Sequence, residues 1–152
     1  MKKTISLLSA VLCMAVLIVS CKTTPPVTES SLNIPSLSES SYKSINTQQK
    51  PAALYLYHSQ LGALHTKNGD MTMKVIMDTL GSKFSYYKVD LKTFSSQGSA
   101  KLQMVLGGNK LPAYIFIYKN NIAAKLTTAY DNREAAQQAA DSLKQGFRSI
   151  LR

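Results

Sequence analysis

The sequence predicts one α/β domain of the three-layer α/β/α class in residues 51–152. Short apolar and aromatic runs, typical of strands, alternate there with segments whose apolar residues repeat at helical spacing. Asn120 and Asn121 separate two of the runs by a tight turn, because asparagine tolerates positive φ. The predicted order is β-α-β-α-β-β-α around a mixed central sheet.

The first half of the domain predicts two strands with a helix between them. Residues 53–57 (ALYLY) predict a buried strand, and residues 85–91 (SYYKVDL) predict the second strand. Asp70 is expected to cap the intervening helix, which ends near Gly81. An apolar stripe at helical spacing supports that helix: Met73, Ile76, Met77 and Leu80.

The second half predicts a helix, a hairpin and a closing helix. Residues 95–106 predict the helix, residues 113–118 (AYIFIY) a strong strand, and residues 122–128 its antiparallel partner. Asp131 and Glu134 have the spacing of a capping box. Apolar residues spaced by four and three predict the last helix: Ala136, Ala140, Leu143, Phe147 and Ile150.

The connections between these elements suggest how the strands pair. Helices join the first three strands, so the sequence predicts right-handed parallel pairing among them, with the final hairpin as an antiparallel edge. This order, with Pro112 opening the third long strand and an amphipathic helix closing the chain, resembles the thioredoxin superfamily. The resemblance covers about residues 51–152. It implies that Pro112 follows a cis peptide bond and faces the loop of the reactive site.

The resemblance also locates that reactive site. Aligning the first strands places residues 61–64 (LGAL) over the Cys-x-x-Cys motif of the family. The family attacks disulfides with a thiolate there and resolves the product with the second thiol. Leucine has no thiol, and the only cysteines of this chain are Cys13 and Cys21. Thiol–disulfide exchange is therefore excluded unless a partner supplies both sulfurs, and we predict no catalytic residue and no enzymatic activity.

Two interpretations of this loop remain open. Leu61 and Leu64 can simply pack a helix face against the core. Alternatively, they form an apolar groove with Tyr57, Gly62 and Pro112, and this groove binds a partner protein or peptide. The second interpretation draws on the resemblance, since non-catalytic members of the family use the same surface.

A metal site is an alternative use of the same region. His58 and His65 bracket the loop, and thioethers are soft ligands for Cu(I). However, a site needs three or four ligands, and Asp70 is the only acid nearby, so we predict no metal and no cofactor. Periplasmic handling of copper or zinc stays an alternative function. The methionines concerned are Met71, Met73, Met77 and Met104.

The first residues predict an exported, lipid-anchored protein. A basic start precedes an apolar run (5–19) that is shorter than the roughly 20 residues of a membrane-spanning helix. Residues 18–21 (IVSC) then resemble the bacterial lipobox. The resemblance implies a signal peptide over residues 1–20, cleavage between Ser20 and Cys21, and a diacylglyceryl group on the Cys21 thiol.

Residues 21–50 predict the lipidated cysteine followed by a flexible tether. The segment is rich in serine, threonine and proline, and its few large side chains (Leu32, Ile34, Leu37 and Tyr42) show no periodic pattern that requires docking. As a random coil, such a tether has a root-mean-square reach of about 30 Å.

The net positive charge of the chain bears on which classes of partner the sequence predicts. The chain has 18 Lys and Arg against 8 Asp and Glu, and removing the leader with Lys2 and Lys3 leaves 16 against 8, a charge of +8. The lysines are scattered, so a solvated surface explains them better than a nucleic-acid interface, and no nucleic-acid partner is predicted.

The residue after the lipobox bears on which membrane holds the protein. Lys22 stands there in place of an aspartate, which differs from the inner-membrane retention signal of enteric bacteria. We therefore expect the outer membrane or the cell surface.

These observations together predict a function. The expected protein is a lipoprotein of the bacterial cell envelope that displays a redox-inactive thioredoxin-like domain and binds a protein or peptide, for example during envelope assembly. A structural lipoprotein whose basic face contacts anionic envelope components is a further alternative.

Overall fold

The computed structural model describes residues 29–47, 49–108 and 110–150. The predicted leader, its cleavage site at Ser20 and the lipidation site at Cys21 lie outside these residues. Four helices are described: α1 Glu39–Lys43, α2 Ala63–Leu80, α3 Ser96–Val105 and α4 Arg133–Gly146. Four strands are described: β1 Ala52–Tyr57, β2 Ser85–Asp90, β3 Ala113–Tyr118 and β4 Asn121–Leu126.

The strands form one mixed sheet in the order β2-β1-β3-β4. β1 pairs with β2 in parallel, and the hairpin of β3 and β4 is antiparallel, as predicted. The predicted parallel pairing of the third strand is wrong, because β3 runs antiparallel to β1. The register shows why: Asp90 ends β2 beside Tyr57, and Ala113 starts β3 beside Leu56. The chain between them leaves and rejoins the sheet at the same end, so β3 has to run back.

The sheet separates two apolar cores, which confirms the three-layer architecture. Successive side chains of β1 point to opposite faces, so Tyr55 and Leu54 enter different cores. One core lies under α2 and α4 and contains Phe116 and Phe147. The other lies under α1 and α3 and contains Leu102.

Helix α2 begins at Ala63, seven residues before the predicted start. Gly69, which precedes the predicted start of this helix, is buried within it. A Cβ at this position would lie 2.9 Å from two ring carbons of Tyr55. The Tyr114 hydroxyl donates to the Gly69 carbonyl at 3.0 Å. The glycine therefore allows two tyrosines to approach the helix backbone. Asp70 caps no helix and is buried on α2.

Two other boundaries differ by one residue from the prediction. The cap of α4 is Asn132, whose side chain accepts from the Ala135 amide at 2.9 Å, and not Asp131. The hairpin turn uses Lys119 and Asn120, with φ of 49° and 62°. In both places a neighbouring polar residue can play the same role, so composition alone does not select the position.

The larger difference concerns residues 29–47, which we call the arm. The sequence predicts a flexible tether there, but the arm packs against the domain. Its start is held by the Asp70 carboxylate, which accepts hydrogen bonds from Ser30 Oγ at 2.7 Å and from Ser31 N and Oγ at 2.6 and 2.7 Å. The folded unit therefore includes the arm and is not limited to residues 51–152.

The middle of the arm extends the sheet. Leu37 N donates to Lys88 O, and Lys88 N donates to Pro35 O, both at 2.9 Å. These bonds form a short parallel bridge centred on Ser36 at the outer edge of β2. Leu37 is buried in the core under α1 and α3. The bridge pairs part of an edge that would otherwise expose free backbone groups.

The end of the arm crosses to the far end of the sheet. Glu39 at the start of α1 accepts from Ser95 N at 2.9 Å and from Ser95 Oγ at 3.1 Å. These bonds lower the pKa of Glu39. Thr47 is buried, and its Oγ1 accepts from Asn120 N at 2.7 Å in the β3–β4 turn. The arm thus contacts both faces and both ends of the sheet.

Candidate functional site

The loop after β1 presents two leucines to solvent at the start of α2. Leu61 and Leu64 are 49% and 68% exposed. Between them, Gly62 caps the helix with φ of +99°, a conformation that side chains rarely adopt. Packing into the core therefore does not account for either leucine. We call Leu61, Gly62 and Leu64 the leucine surface.

The other two residues of the predicted groove are not on this surface. Tyr57 is only 6% exposed, and its ring stacks on Tyr55 with centroids 5.2 Å apart. Pro112 is buried, and the Leu111-Pro112 bond is cis, as the resemblance implied. Tyr57 and Pro112 thus lack the exposed area that a partner would contact. Their part in partner binding stays a prediction from the sequence.

A stack of tyrosines lies at the end of the sheet below the loop. Tyr55 stacks on Tyr57 and also on Tyr114, whose ring centroid is 5.5 Å away. Burial raises the pKa of all three hydroxyls, and the nearby charge of Asp70 adds to this effect. The stack is a rigid apolar support, and its hydroxyls stay protonated at neutral pH.

Asp90 joins the loop to the neighbouring strand. Its Oδ1 accepts from Ser59 N at 3.2 Å and from Lys92 N at 3.0 Å. Ser59 is buried, and its hydroxyl has no hydrogen-bond partner among the described residues. The carboxylate therefore fixes where the chain leaves β1 before it reaches the leucine surface.

The residues considered as metal ligands do not come together in the structure. His58 Nδ1 accepts from Gln60 N at 3.3 Å, and His65 is exposed. Met73 is buried in the core as predicted, whereas Met104 is 79% exposed on α3. Within residues 29–47, 49–108 and 110–150, no group of three or more His, Cys, Asp or Glu could hold a metal ion. Over the same ranges, no helix is both long enough and apolar enough to cross a bilayer.

Sequence reasoning missed the contact between the arm and Asp70. The carboxylate and its serine partners are about forty positions apart, so no local spacing links them. A weak signal exists in hindsight, since an acid on the apolar side of a helix requires buried donors. Thr66, Gly69, Asp70 and Met73 are all buried along this side of α2.

Comparisons with solved structures agree with this geometry. A thioredoxin from Malassezia sympodialis matches with a TM-score of 0.53 and 16% identity, over 77% of this chain and 94% of that one. A thioredoxin from Plasmodium falciparum matches with a TM-score of 0.53 and 15% identity, over 72% and 98%. The chain has a thioredoxin-like fold. At these identities the likeness shows the fold alone.

The extent of these matches bears on the arm. Residues 51–152 make up about two thirds of the chain, and both matches cover more than that. Both matches therefore extend into the part of the chain before Pro51. No protein-family model matches the sequence, and no curated protein matches it significantly.

Proposed function

We propose that this chain is a bacterial lipoprotein, anchored through Cys21, whose thioredoxin-like domain works by binding and not by thiol chemistry. The observation that carries the proposal is the exposure of Leu61 and Leu64. The alignment places them where thioredoxins carry their reactive cysteines. The scaffold that would position a reactive pair here positions two apolar side chains.

The chemistry of the leucine surface supports contact with a partner. Fully burying a leucine side chain contributes about 1.5–3 kcal/mol. The protein already covers part of Leu61 and Leu64. A partner that buried the rest of both side chains would therefore gain less than twice this free energy. The buried tyrosines beneath the loop hold its base rigidly, which reduces the ordering cost of such a contact.

The anchor is tested on the mature protein. Its intact mass should include the acyl chains on Cys21, and Cys21→Ala should move the protein from the membrane fraction to the soluble one. A mature protein without acyl mass, or a Cys21→Ala variant that stays on the membrane, would contradict the anchoring proposal.

An assay with a model disulfide tests the proposal that the domain carries out no thiol chemistry. The purified protein should reduce or oxidise a model disulfide no faster than a buffer control. A rate above that of the buffer control would contradict the proposal that the domain is not an enzyme.

Binding is tested by pull-down from a solubilised bacterial envelope. The expected partner is a protein or peptide, and the double variant Leu61→Asp with Leu64→Asp should lose it. Ile122→Asp is a matched control, because Ile122 is 46% exposed and lies on β4 beside the turn at the opposite end of the sheet. Equal recovery by the wild type and the double variant would show that the leucine surface does not make the contact.

A further inference from the structure

The end of the sheet opposite the leucine surface carries a row of lysines. Ala52 of β1 pairs with Ser85 of β2 and with Ile117 of β3, and this is the last row in which the three strands pair. Two positions beyond it, each of the three chain segments has an exposed lysine: Lys50, Lys83 and Lys119. Neighbouring strands lie about 5 Å apart, so the row extends about 10 Å across the end of the sheet.

A groove beside this row adds two more cations. It lies between the end of α2 and the end of α4, and the exposed residues Lys144 and Arg148 line it together with Lys83. Its volume of about 770 Å³ is in the range of ligand-binding clefts. The row and the groove share Lys83 and therefore form one surface. We call its cations the basic end: Lys50, Lys83, Lys119, Lys144 and Arg148.

Carboxylates do not balance the charge of this surface. Of the eight acids of the chain, Asp141 is the one that lines the described groove. Asp78, near the end of α2, is bridged to Lys74 and Arg133. The others belong to the arm, to the first half of α2, to the far end of β2 or to the start of α4: Glu29, Glu39, Asp70, Asp90, Asp131 and Glu134. Among the described residues, five cations thus face one acid.

Stabilisation of the helices does not account for the whole cluster. Lys144 lies in the last turn of α4, where a cation interacts favourably with the helix dipole. In contrast, Lys50 lies in a bend before β1, and Lys119 lies in the β3–β4 turn. Like charges that are brought together oppose folding, because they repel one another. A concentration of positive charge at one end of the molecule is therefore better explained by an anionic partner.

The chemistry of the basic end favours a polysaccharide over a protein or a nucleic acid. Leu80, the large apolar side chain among the described groove residues, is buried. Protein interfaces, in contrast, use apolar or aromatic anchors and contain little lysine. The ring of Tyr118 lies under the Lys119 ammonium, 5.2 Å from the ring centroid, so this face is covered. Single-stranded nucleic acids require open rings on which their bases stack.

We propose that the basic end binds a linear acidic polysaccharide, a glycan that carries carboxylate groups at regular intervals. The row of lysines continues into the groove, so successive carboxylates of one chain can each meet a cation. Lysine suits such a ligand, since its ammonium is a compact charge on a flexible stem. The basic end is a second binding surface, and the inference rests on neither the lipid anchor nor the partner of the leucine surface.

The test measures binding of the intact protein, isolated in a non-ionic detergent, to polygalacturonate. Polygalacturonate should bind at low ionic strength and dissociate as salt is added, whereas neutral dextran should not bind. Polyglutamate and vesicles of phosphatidylglycerol, at the same concentration of negative charge, represent an acidic polypeptide and an anionic lipid surface. Both should bind more weakly than polygalacturonate.

Matched variants test whether the binding depends on the position of the charges. Lys50→Gln with Lys119→Gln removes two charges from the row, and Lys144→Gln with Arg148→Gln removes two from the groove. Each pair should weaken the binding of polygalacturonate roughly tenfold, because two ion contacts are lost. Lys43→Gln with Lys101→Gln is the control, since it removes the same charge from exposed side chains of α1 and α3. It should leave the affinity nearly unchanged, and urea denaturation checks that all three variants are folded.

Three results would overturn the inference. The first is a loss of affinity in the control pair equal to that of the other two pairs, which would show that only the net charge matters. The second is a failure of polygalacturonate to bind the wild type at low ionic strength. The third is tighter binding of polyglutamate or of the vesicles. The partner of the leucine surface is scored separately by the pull-down, so the two proposals can fail independently.

Discussion

Asp70 is the residue on which the position of the arm depends. Its buried carboxylate accepts three hydrogen bonds from Ser30 and Ser31, and Lys88 Nζ donates to the carbonyls of Ser30 and Leu32 at 3.2 and 2.8 Å. Hydrogen bonds to charged groups are stronger than neutral ones, and a buried donor left unpaired is costly. One side chain of α2 therefore holds the start of the arm.

Asp70→Asn should release the start of the arm. The substitution removes the charge and turns an acceptor into a donor that faces other donors, so the free energy of unfolding should fall by about 2–3 kcal/mol. Urea denaturation measures the loss, and hydrogen exchange of the Ser31 amide shows whether it is local. Asp131→Asn, at an exposed site, should leave both unchanged. Continued protection of Ser31 in the Asp70 variant would contradict this role.

Gly69→Ala and Gly146→Ala should change stability in opposite directions. At Gly69 the new methyl meets the ring and hydroxyl of Tyr55, and overpacking of this kind costs about 1–3 kcal/mol. At Gly146, the last residue of α4, nothing lies within 4 Å, so alanine should stabilise by up to about 1 kcal/mol through helix propensity. Thermal denaturation of the two variants checks the signs. Equal effects would show that Tyr55 does not press on the helix backbone.

The arm as an element supplies one side of the second core and covers part of the β2 edge. A chain starting at Pro51, the boundary predicted from the sequence, should lose roughly 3 kcal/mol or more relative to one starting at Glu29. It loses the buried Leu37 and the bonds to Lys88 and Ser95. Urea denaturation of the two chains measures the difference. Equal midpoints would restore the prediction of a passive tether.

The sequence predicted the regular elements well, because their signals are local. Residues 53–57 and 113–118 are apolar runs that emerge as β1 and β3. The stripe from Ala136 to Ile150 emerges as α4, which ends at Gly146, before the last two residues of the stripe. The direction of β3 was missed, since it depends on where the chain after α3 rejoins the sheet. No local pattern encodes that return.

The site was predicted in part for similar reasons. The cis bond before Pro112 followed from the resemblance, but the start of α2 at Ala63 was missed, because the helix was expected only from Asp70. The burial of Tyr57 depends on tyrosine stacking, because its ring stacks on Tyr55, which in turn stacks on Tyr114 of β3. The arm was missed because its serines and threonines find their partners in distant parts of the chain. Composition measures how much apolar surface a segment can bury, but it does not reveal such partners.

The whole molecule should lose stability in alkaline solution. Burial raises the pKa of Tyr55, Tyr86 and Tyr114 above the ordinary tyrosine value near 10. The folded state therefore keeps protons that the unfolded chain releases above pH about 10, so the contribution is complete below that pH and is lost as pH rises. The urea concentration at the unfolding midpoint should decrease as the pH rises above about 10. In the Tyr114→Phe variant this decrease should be smaller. A midpoint that rises there would contradict the burial of these hydroxyls.

For the whole molecule in its membrane, we propose that the anchored domain works by contact at the leucine surface. The most direct test places a photo-crosslinking amino acid at Leu64 or, as a control, at Ile122, in membranes that contain the lipidated protein. Irradiation should give abundant adducts to a protein or peptide from position 64 and few from position 122. Adducts from position 64 that are no more abundant than those from position 122 would contradict the central claim.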